Sequence, residues 1–211
     1  NDTIAYNEQL LVDALALQIV NRRLEVQARN GGNYLFAQIA QEDISRTADA
    51  TLVSLTPIGD KWEAATRDVR AIIADATTTA PSVADIDREK TLFGNALRTM
   101  LDSYPFEAAA KQADDIVSAV DIRETVAAPK TVVQVYEGMK NKFTPQRLLA
   151  STQNLFIADV TRLMLSSPSS IPNADNRALA ALNASVTANK TARLSENTLA
   201  VQAPCAWHLP E

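Results

Sequence analysis

Two arginines near the start of the chain provide the first candidate chemistry. The stretch LLVDALALQIVNRRLEVQARNGG, residues 10–32, contains Arg22 and Arg29. Because the two are seven residues apart, they lie on one face of a helix. They predict contact with a carboxylate ligand or with an acidic partner helix. The alternative is salt bridging to nearby acids such as Glu25 and Glu8, since surface charge pairs are common and carry little information.

Residues that could cut or transfer bonds are few. The sequence contains one cysteine and one histidine, Cys205 and His208, and they share a proline-flanked tail. A catalytic cysteine needs a base within reach on a rigid support, which such a tail does not offer. Zinc and di-iron sites need several His, Cys or Glu ligands at set spacings, and no nucleophile or phosphate-loop motif occurs. These observations predict a protein that is not an enzyme and binds no metal or cofactor.

The last nine residues, APCAWHLPE, predict an extended tail rather than a helix, because two prolines interrupt them. A Pro-rich tail of residues 203–211 would dock onto a neighbouring subunit more readily than it would pack alone. Trp207 and Leu209 are the candidate docking residues. The chain is therefore expected to form homo- or hetero-oligomers.

Charge and hydropathy exclude two classes of partner. The net charge is −5 and no basic block occurs, so nucleic acid is not expected to bind through a basic patch. The longest apolar run, residues 10–20, is well short of the roughly 20 residues that a membrane span needs. A run that is apolar on every face instead predicts a buried central helix.

Composition favours an all-α fold. The chain of 211 residues has 35 alanines, only 5 glycines and 5% aromatic residues, and alanine is the best helix former. Apolar spacing of three and four residues predicts an antiparallel helical bundle of six to seven helices. The predicted domains are one bundle, residues 1–202, and the tail, 203–211. Helical segments are expected over 2–29, 34–55, 60–76, 82–104, 106–127, 131–141, 144–164 and 174–200, and the first two count as one helix if Gly31-Gly32 is only a kink.

Two points of architecture stay open at this stage. In a bimodular variant, the long first and last helices run side by side and residues 57–165 form a sub-module between them. Gly31-Gly32 forms either a turn after the first helix or a hinge within one longer helix, and a tight break is favoured.

The sequence thus predicts a non-enzymatic structural or assembly protein that acts through protein–protein contacts, in a surface appendage, a secretion apparatus or a virion. The alternative is an extracytoplasmic sensory bundle that recognises a small anion or carboxylate through Arg22 and Arg29. An extracytoplasmic location is expected from the missing initiator Met and the Ser/Thr-rich linkers. The glycosylation motifs at Asn1, Asn183 and Asn189 are about as frequent as chance predicts.

Overall fold

The computed structural model describes residues 3–44, 48–121 and 127–193. This part of the chain contains a two-stranded antiparallel sheet and seven α-helices. The elements, in chain order, are α1 (Ile4–Arg29), β1 (Tyr34–Ile44), β2 (Ala48–Pro57), α2 (Trp62–Ala76), α3 (Val83–Ser103), α4 (Ala109–Asp121), α5 (Pro129–Met139), α6 (Pro145–Leu155) and α7 (Ala174–Asn183).

Helix α1 is the centre of the fold. Its 26 residues begin after Thr3, whose side chain accepts a hydrogen bond from the Tyr6 amide. The helix packs against β1, α2, α3, α5 and α6. The prediction that the opening apolar run is a buried helix is confirmed, because the residues buried there are Val12, Leu15, Ala16, Leu17, Ile19 and Val20. Within the described ranges, no helix is long and apolar enough to cross a membrane.

Residues 34–57, predicted as helix, form a β-hairpin, so the all-α fold class is wrong. In β1 the buried residues Ala37 and Ile39 alternate with the exposed Gln38, which is the two-residue period of a half-buried strand. In β2 the β-branched residues Thr51 and Val53 favour the extended backbone. Apolar spacing alone could not separate this short segment from a helix.

The double glycine forms a turn and not a hinge, as favoured above. Gly31 has a φ of 90°, a conformation that is open to glycine without a side-chain clash. The Gly32 amide donates to the Gln27 carbonyl at 2.8 Å and the Asn30 amide to the Val26 carbonyl at 3.0 Å. The bond from Gly32 to Gln27 is the long bond of a Schellman-type helix end, with Gly31 at positive φ. The bond from Asn30 to Val26 is the last regular bond of the helix, and the chain then continues into β1.

Two predicted helix starts are confirmed and one is wrong. Ser82 and Thr144 each cap a helix by accepting a hydrogen bond from the amide three residues later. Asp60, expected to cap the helix over 60–76, does not: the capping position is Lys61, without a side-chain bond.

The predicted last helix, over 174–200, is also wrong within the described residues, because α7 ends at Asn183. Arg70 on α2 donates from Nη1 to the carbonyls of Ala181 and Ala184, at 2.9 and 2.6 Å. A cation at this position satisfies the unpaired carbonyls of the helix end. The predicted tail, including Trp207 and Leu209, lies outside the described residues.

Helices α3 and α5 pack through an aromatic cluster around Tyr136. The ring of Tyr136 is fully buried, and its centroid lies 5.5 Å from that of Phe93 and 5.9 Å from that of Phe143. Its hydroxyl donates to the Lys90 carbonyl. Gly94 lies directly opposite the ring, which is therefore fixed on all sides.

We expect Gly94→Ala to lower the free energy of unfolding and Gly138→Ala to raise it. A Cβ at position 94 would lie 3.0 Å from Cε1 of Tyr136, whereas one at position 138 meets nothing within 4 Å. Overpacking costs about 1–3 kcal/mol, which offsets or exceeds the roughly 1 kcal/mol gained by replacing a helical glycine. Urea unfolding of both variants measures the difference. Equal stabilisation by both changes would contradict the packing described here.

Candidate functional site

A surface groove of about 520 Å³ lies between α1 and β1. Its helical wall is polar and charged, and its strand wall is largely apolar. The residues that form it are Gln18, Asn21, Arg22, Glu25, Ala28, Arg29, Leu35, Phe36, Ala37 and Gln38. The groove combines charged groups that converge from one helix face with an apolar strand surface, as ligand sites commonly do.

The outer edge of β1 faces this groove. The side-chain amide of Asn21 donates from Nδ2 to the Ile39 carbonyl at 2.9 Å and accepts from the Ile39 amide at 2.7 Å. Asn21 therefore does for Ile39 what the main chain of a neighbouring strand would do. Since main-chain groups that face one side recur at every second residue of an antiparallel strand, those of Ala37 point the same way, into the groove.

The apolar wall results from an irregularity in the sheet. The pairing register shifts between Tyr34, opposite Pro57, and Phe36, opposite Thr56. Leu35 and Phe36 are 70% and 52% exposed, so two successive large apolar side chains face solvent. Tyr34 anchors the strand just before them, because its buried hydroxyl donates to the Leu24 carbonyl at 2.8 Å. Burial raises the pKa of Tyr34, which keeps the hydroxyl a donor.

Both predicted contact residues line the groove. Nη1 of Arg22 lies 2.6 Å from Oε2 of Glu25, and Arg29 bonds the other oxygen of the same carboxylate. The salt bridge to Glu25 that formed the alternative reading is thus present. Glu8, the other acid predicted as a salt-bridge partner, instead pairs with Lys142, whose Nζ lies 2.5 Å from Oε1 of Glu8. Whether the two arginines bind a ligand stays a prediction.

Arg22 also contacts a buried acid below the groove. Its Nε lies 3.2 Å from Oε1 of Glu89 on α3, and the Glu89 side chain has no exposed surface. Oε2 of Glu89 has no hydrogen-bond partner among the residues that the structure describes. Burial raises the pKa of Glu89, although the positive charges of Arg22 and Arg88 oppose that shift.

A second buried ionic cluster joins α1, α2 and the segment after α7. Arg23 Nη1 lies 3.3 Å from Oδ2 of Asp75, and both side chains are at most 3% exposed. Arg193 binds the same carboxylate through both oxygens, at 2.8 and 2.5 Å. Burial lowers the pKa of the Arg23 guanidinium, while Asp75 and Asp85 oppose the shift. A bidentate arginine–carboxylate pair is the strong form of this interaction.

Sequence reasoning missed Arg23, Asp75 and Glu89. Arg23 follows directly on the apolar run of α1, and Asp75 lies three residues after the buried Ile72. The only available signal of such a buried ion pair was a charged residue next to apolar helix positions. The sequence does not show its partner, because the partner is set by how the helices pack. No group of three or more His, Cys, Asp or Glu side chains within the described ranges could hold a metal ion. Cys205 and His208 lie outside those ranges.

No protein-family model and no curated protein matches the sequence. The crystal structure of the periplasmic protease PqqL from Escherichia coli is similar, with a TM-score of 0.62 and 16% identity over 69% of this chain and 16% of that chain. The first half of PqqL gives a TM-score of 0.65 and 15% identity over 72% of this chain and 33% of that chain.

A third similar structure is described as a predicted insulinase family protease from Yersinia pestis. Its TM-score is 0.57 and its identity 12%, over 72% of this chain and 32% of that chain. The described part of this chain shares its fold with a part of each of these three proteins. This chain spans at most a third of the length of each of these proteins, and their domains are mixed α/β.

These likenesses overturn three predictions from sequence. The all-α class is wrong, as the hairpin already shows. The prediction of a non-enzymatic structural protein is wrong, because the fold is shared with proteases. The physical reason for the error is that catalytic motifs were sought in a chain whose fold corresponds to only part of a longer protease. The sensory-bundle alternative falls with the same finding.

We expect Asp75→Asn to lower the free energy of unfolding by about 3–5 kcal/mol, the usual cost of leaving a buried charge without its partner. The change leaves Arg23 buried and facing a neutral amide. The matched control is Asp87→Asn on α3, which removes a 62% exposed partner of Lys90 and should cost less than about 1 kcal/mol. Urea unfolding at neutral pH compares the two. Similar losses in both variants would show that the buried pair carries no special weight.

We expect Glu89→Gln to become more stable relative to the unchanged protein as the pH rises. Because burial raises the pKa of Glu89 above its ordinary value of 4.5, the neutral acid favours the folded state. Its contribution is complete below the unfolded pKa and is lost as the pH rises through the folded pKa. Glutamine stays neutral throughout.

Unfolding measured from about pH 4 to about pH 7 tests this linkage. Glu137→Gln is the control with the opposite sign, since hydrogen bonds from Lys140 and Arg98 lower the pKa of Glu137. Removing Glu137 should therefore cost stability at neutral pH and nothing in acid. A Glu89→Gln difference that is independent of pH would overturn the assignment of a costly buried carboxylate.

Proposed function

We propose that this chain is a peptide-binding domain of an insulinase-type protease. In this proposal, an extended segment of the substrate lies in the groove between α1 and β1. The observation that carries the proposal is the hydrogen-bonded pair of Asn21 and Ile39, because it shows that the main-chain groups on this edge of β1 bond a group other than a third strand. The likeness to PqqL and to the Yersinia pestis protease supports the choice of a peptide as the ligand.

The sheet edge favours an extended chain over other ligands. A two-stranded sheet leaves main-chain donors and acceptors unpaired along its outer edges, and an added strand satisfies them. The main-chain groups of Ala37 face the groove. Ala37 lies two residues before Ile39, whose main-chain groups are bonded by Asn21. The volume of about 520 Å³ lies in the range of roughly 300–1,000 Å³ that is typical of ligand sites. A peptide of a few residues therefore fits this groove in both size and chemistry.

The proposal assigns substrate binding, rather than bond cleavage, to the residues of the groove. A zinc site of the H-x-x-E-H type uses two histidines, and the 211 residues contain one. The groove itself is lined by arginine, glutamate, amide and apolar side chains, which can hold a peptide in place. Groups elsewhere in such a protease would then act on the bound segment.

We also propose an extracytoplasmic location, in keeping with the expectation from sequence. PqqL is described as a periplasmic protease, and a domain that serves the same chemistry would work in the same compartment. Fractionation of cells that express the full-length protein would test this location.

We expect a fluorescent extended peptide to bind the chain, and backbone N-methylation to block binding in a pattern with a period of two residues. In strand addition, only every second peptide N–H points at the protein edge. Methylation of those amides removes the donors, whereas methylation of the intervening amides leaves them intact. Fluorescence anisotropy of two peptides of identical side-chain sequence, methylated in opposite phase, measures the effect.

The two peptides serve as each other's control, because their composition and charge are the same. One should bind like the unmethylated peptide, and the other should lose about tenfold or more in affinity for two lost hydrogen bonds. Equal binding by both would exclude strand addition, and absence of binding by every extended peptide would overturn the proposed function.

A further inference from the structure

We propose that the α1–β1 groove selects peptides in which an acidic side chain adjoins a large apolar one. This inference rests on the proposed function and names the substrate class of the same groove. Arg22 and Arg29 would receive the acidic side chain, and Leu35 and Phe36 would receive the apolar one.

The helical wall of the groove carries more positive than negative charge. Arg22 and Arg29 are both bonded to one exposed acid, Glu25. Each guanidinium has five N–H donors, and the contacts with Glu25 use one nitrogen of each. The remaining donors of Arg29, which is 72% exposed, face solvent. A carboxylate from a ligand can therefore enter the groove without net electrostatic repulsion from Arg22, Arg29 and Glu25 of the helical wall.

The position of Arg22 is fixed from below. Its Nε bonds Glu89, a fully buried acid whose second oxygen has no partner among the described residues. Because Glu89 has no exposed surface, a ligand cannot reach it and compete for Arg22. Among the described residues, the only ion pair of Arg29 is the one with Glu25, whose side chains are 72% and 39% exposed. Such an exposed pair exchanges at little cost. The groove thus offers one fixed cation and one that is free to turn to a ligand.

The strand wall supplies the apolar contact. The register shift places Leu35 and Phe36 next to each other at the surface, where large apolar side chains without cover favour association. Both lie on the same groove as the two arginines. A peptide paired with the edge of β1 therefore meets a cation on the α1 side and an apolar surface on the β1 side.

Three labelled peptides of extended sequence test the selectivity. They differ at one residue, which is Glu, Gln or Lys, and this residue is followed by Phe. Fluorescence anisotropy with the full chain should give the tightest binding for the Glu peptide, about tenfold weaker binding for the Gln peptide, and weaker binding again for the Lys peptide. Raised salt should reduce the advantage of Glu, since the charges are exposed.

Protein variants assign the effect to the groove. Arg29→Gln should remove most of the preference for Glu over Gln, and Glu25→Gln should increase it, because Glu25 competes with the ligand for both arginines. Arg98 and Glu137 form a matched exposed pair, 2.7 Å apart, that links α3 to α5 and does not line the groove. Arg98→Gln and Glu137→Gln should therefore leave the preference unchanged.

The outcomes separate this inference from the proposed function. Equal binding of the Glu and Gln peptides, unaffected by Arg29→Gln, would overturn the selectivity while peptide binding itself stands. If Arg98→Gln weakened the preference for Glu as much as Arg29→Gln does, the preference would result from the overall charge of the protein. That outcome would also overturn the inference. If none of the three peptides binds, the proposed function fails together with it.

Discussion

The ion pair between Arg23 and Asp75 is the constraint around which the rest of the structure is arranged. Leaving a buried charge without its partner is costly, so the ion pair favours the packing of α1 against α2 that brings these two side chains within 3.3 Å of each other. Arg193 then adds a bidentate contact to Asp75. The segment after α7 is thereby tied to the interface between the first two helices.

The groove is a consequence of how β1 is attached to α1. The Schellman turn at Gly31 and Gly32 reverses the chain, and the buried hydroxyl of Tyr34 then fixes the start of the strand to the Leu24 carbonyl. Asn21 holds the strand again at Ile39. Between these two points the strand is not bonded to the helix by any such side chain in the described residues, and there the groove opens.

Several local features could be predicted from sequence and the sheet could not. The apolar run of α1 and the caps at Ser82 and Thr144 depend on neighbours in the chain, so their patterns are sufficient. The apolar residues of the hairpin over 34–57 form short runs that are compatible with a helix or a strand. The alanine-rich composition of the chain favoured a helix there, which is wrong. Arg22 and Arg29 were chosen as candidates from their shared helix face, and both line the groove. Glu89, the buried partner of Arg22, is 67 residues from it in sequence, so only the tertiary packing of α3 brings it there.

Under the proposed selectivity, the contrast between the two arginines of the groove gives the buried acid Glu89 a role. An apolar residue there would avoid the desolvation cost, but it would leave Arg22 with only the surface partner Glu25. An arginine paired only at the surface loses side-chain entropy when a ligand orders it. An arginine already held by Glu89 has lost that entropy during folding, so its guanidinium would be preorganised for the carboxylate of the proposed peptide. The stability that Glu89 costs the folded state is thus balanced against the order it imposes on the groove.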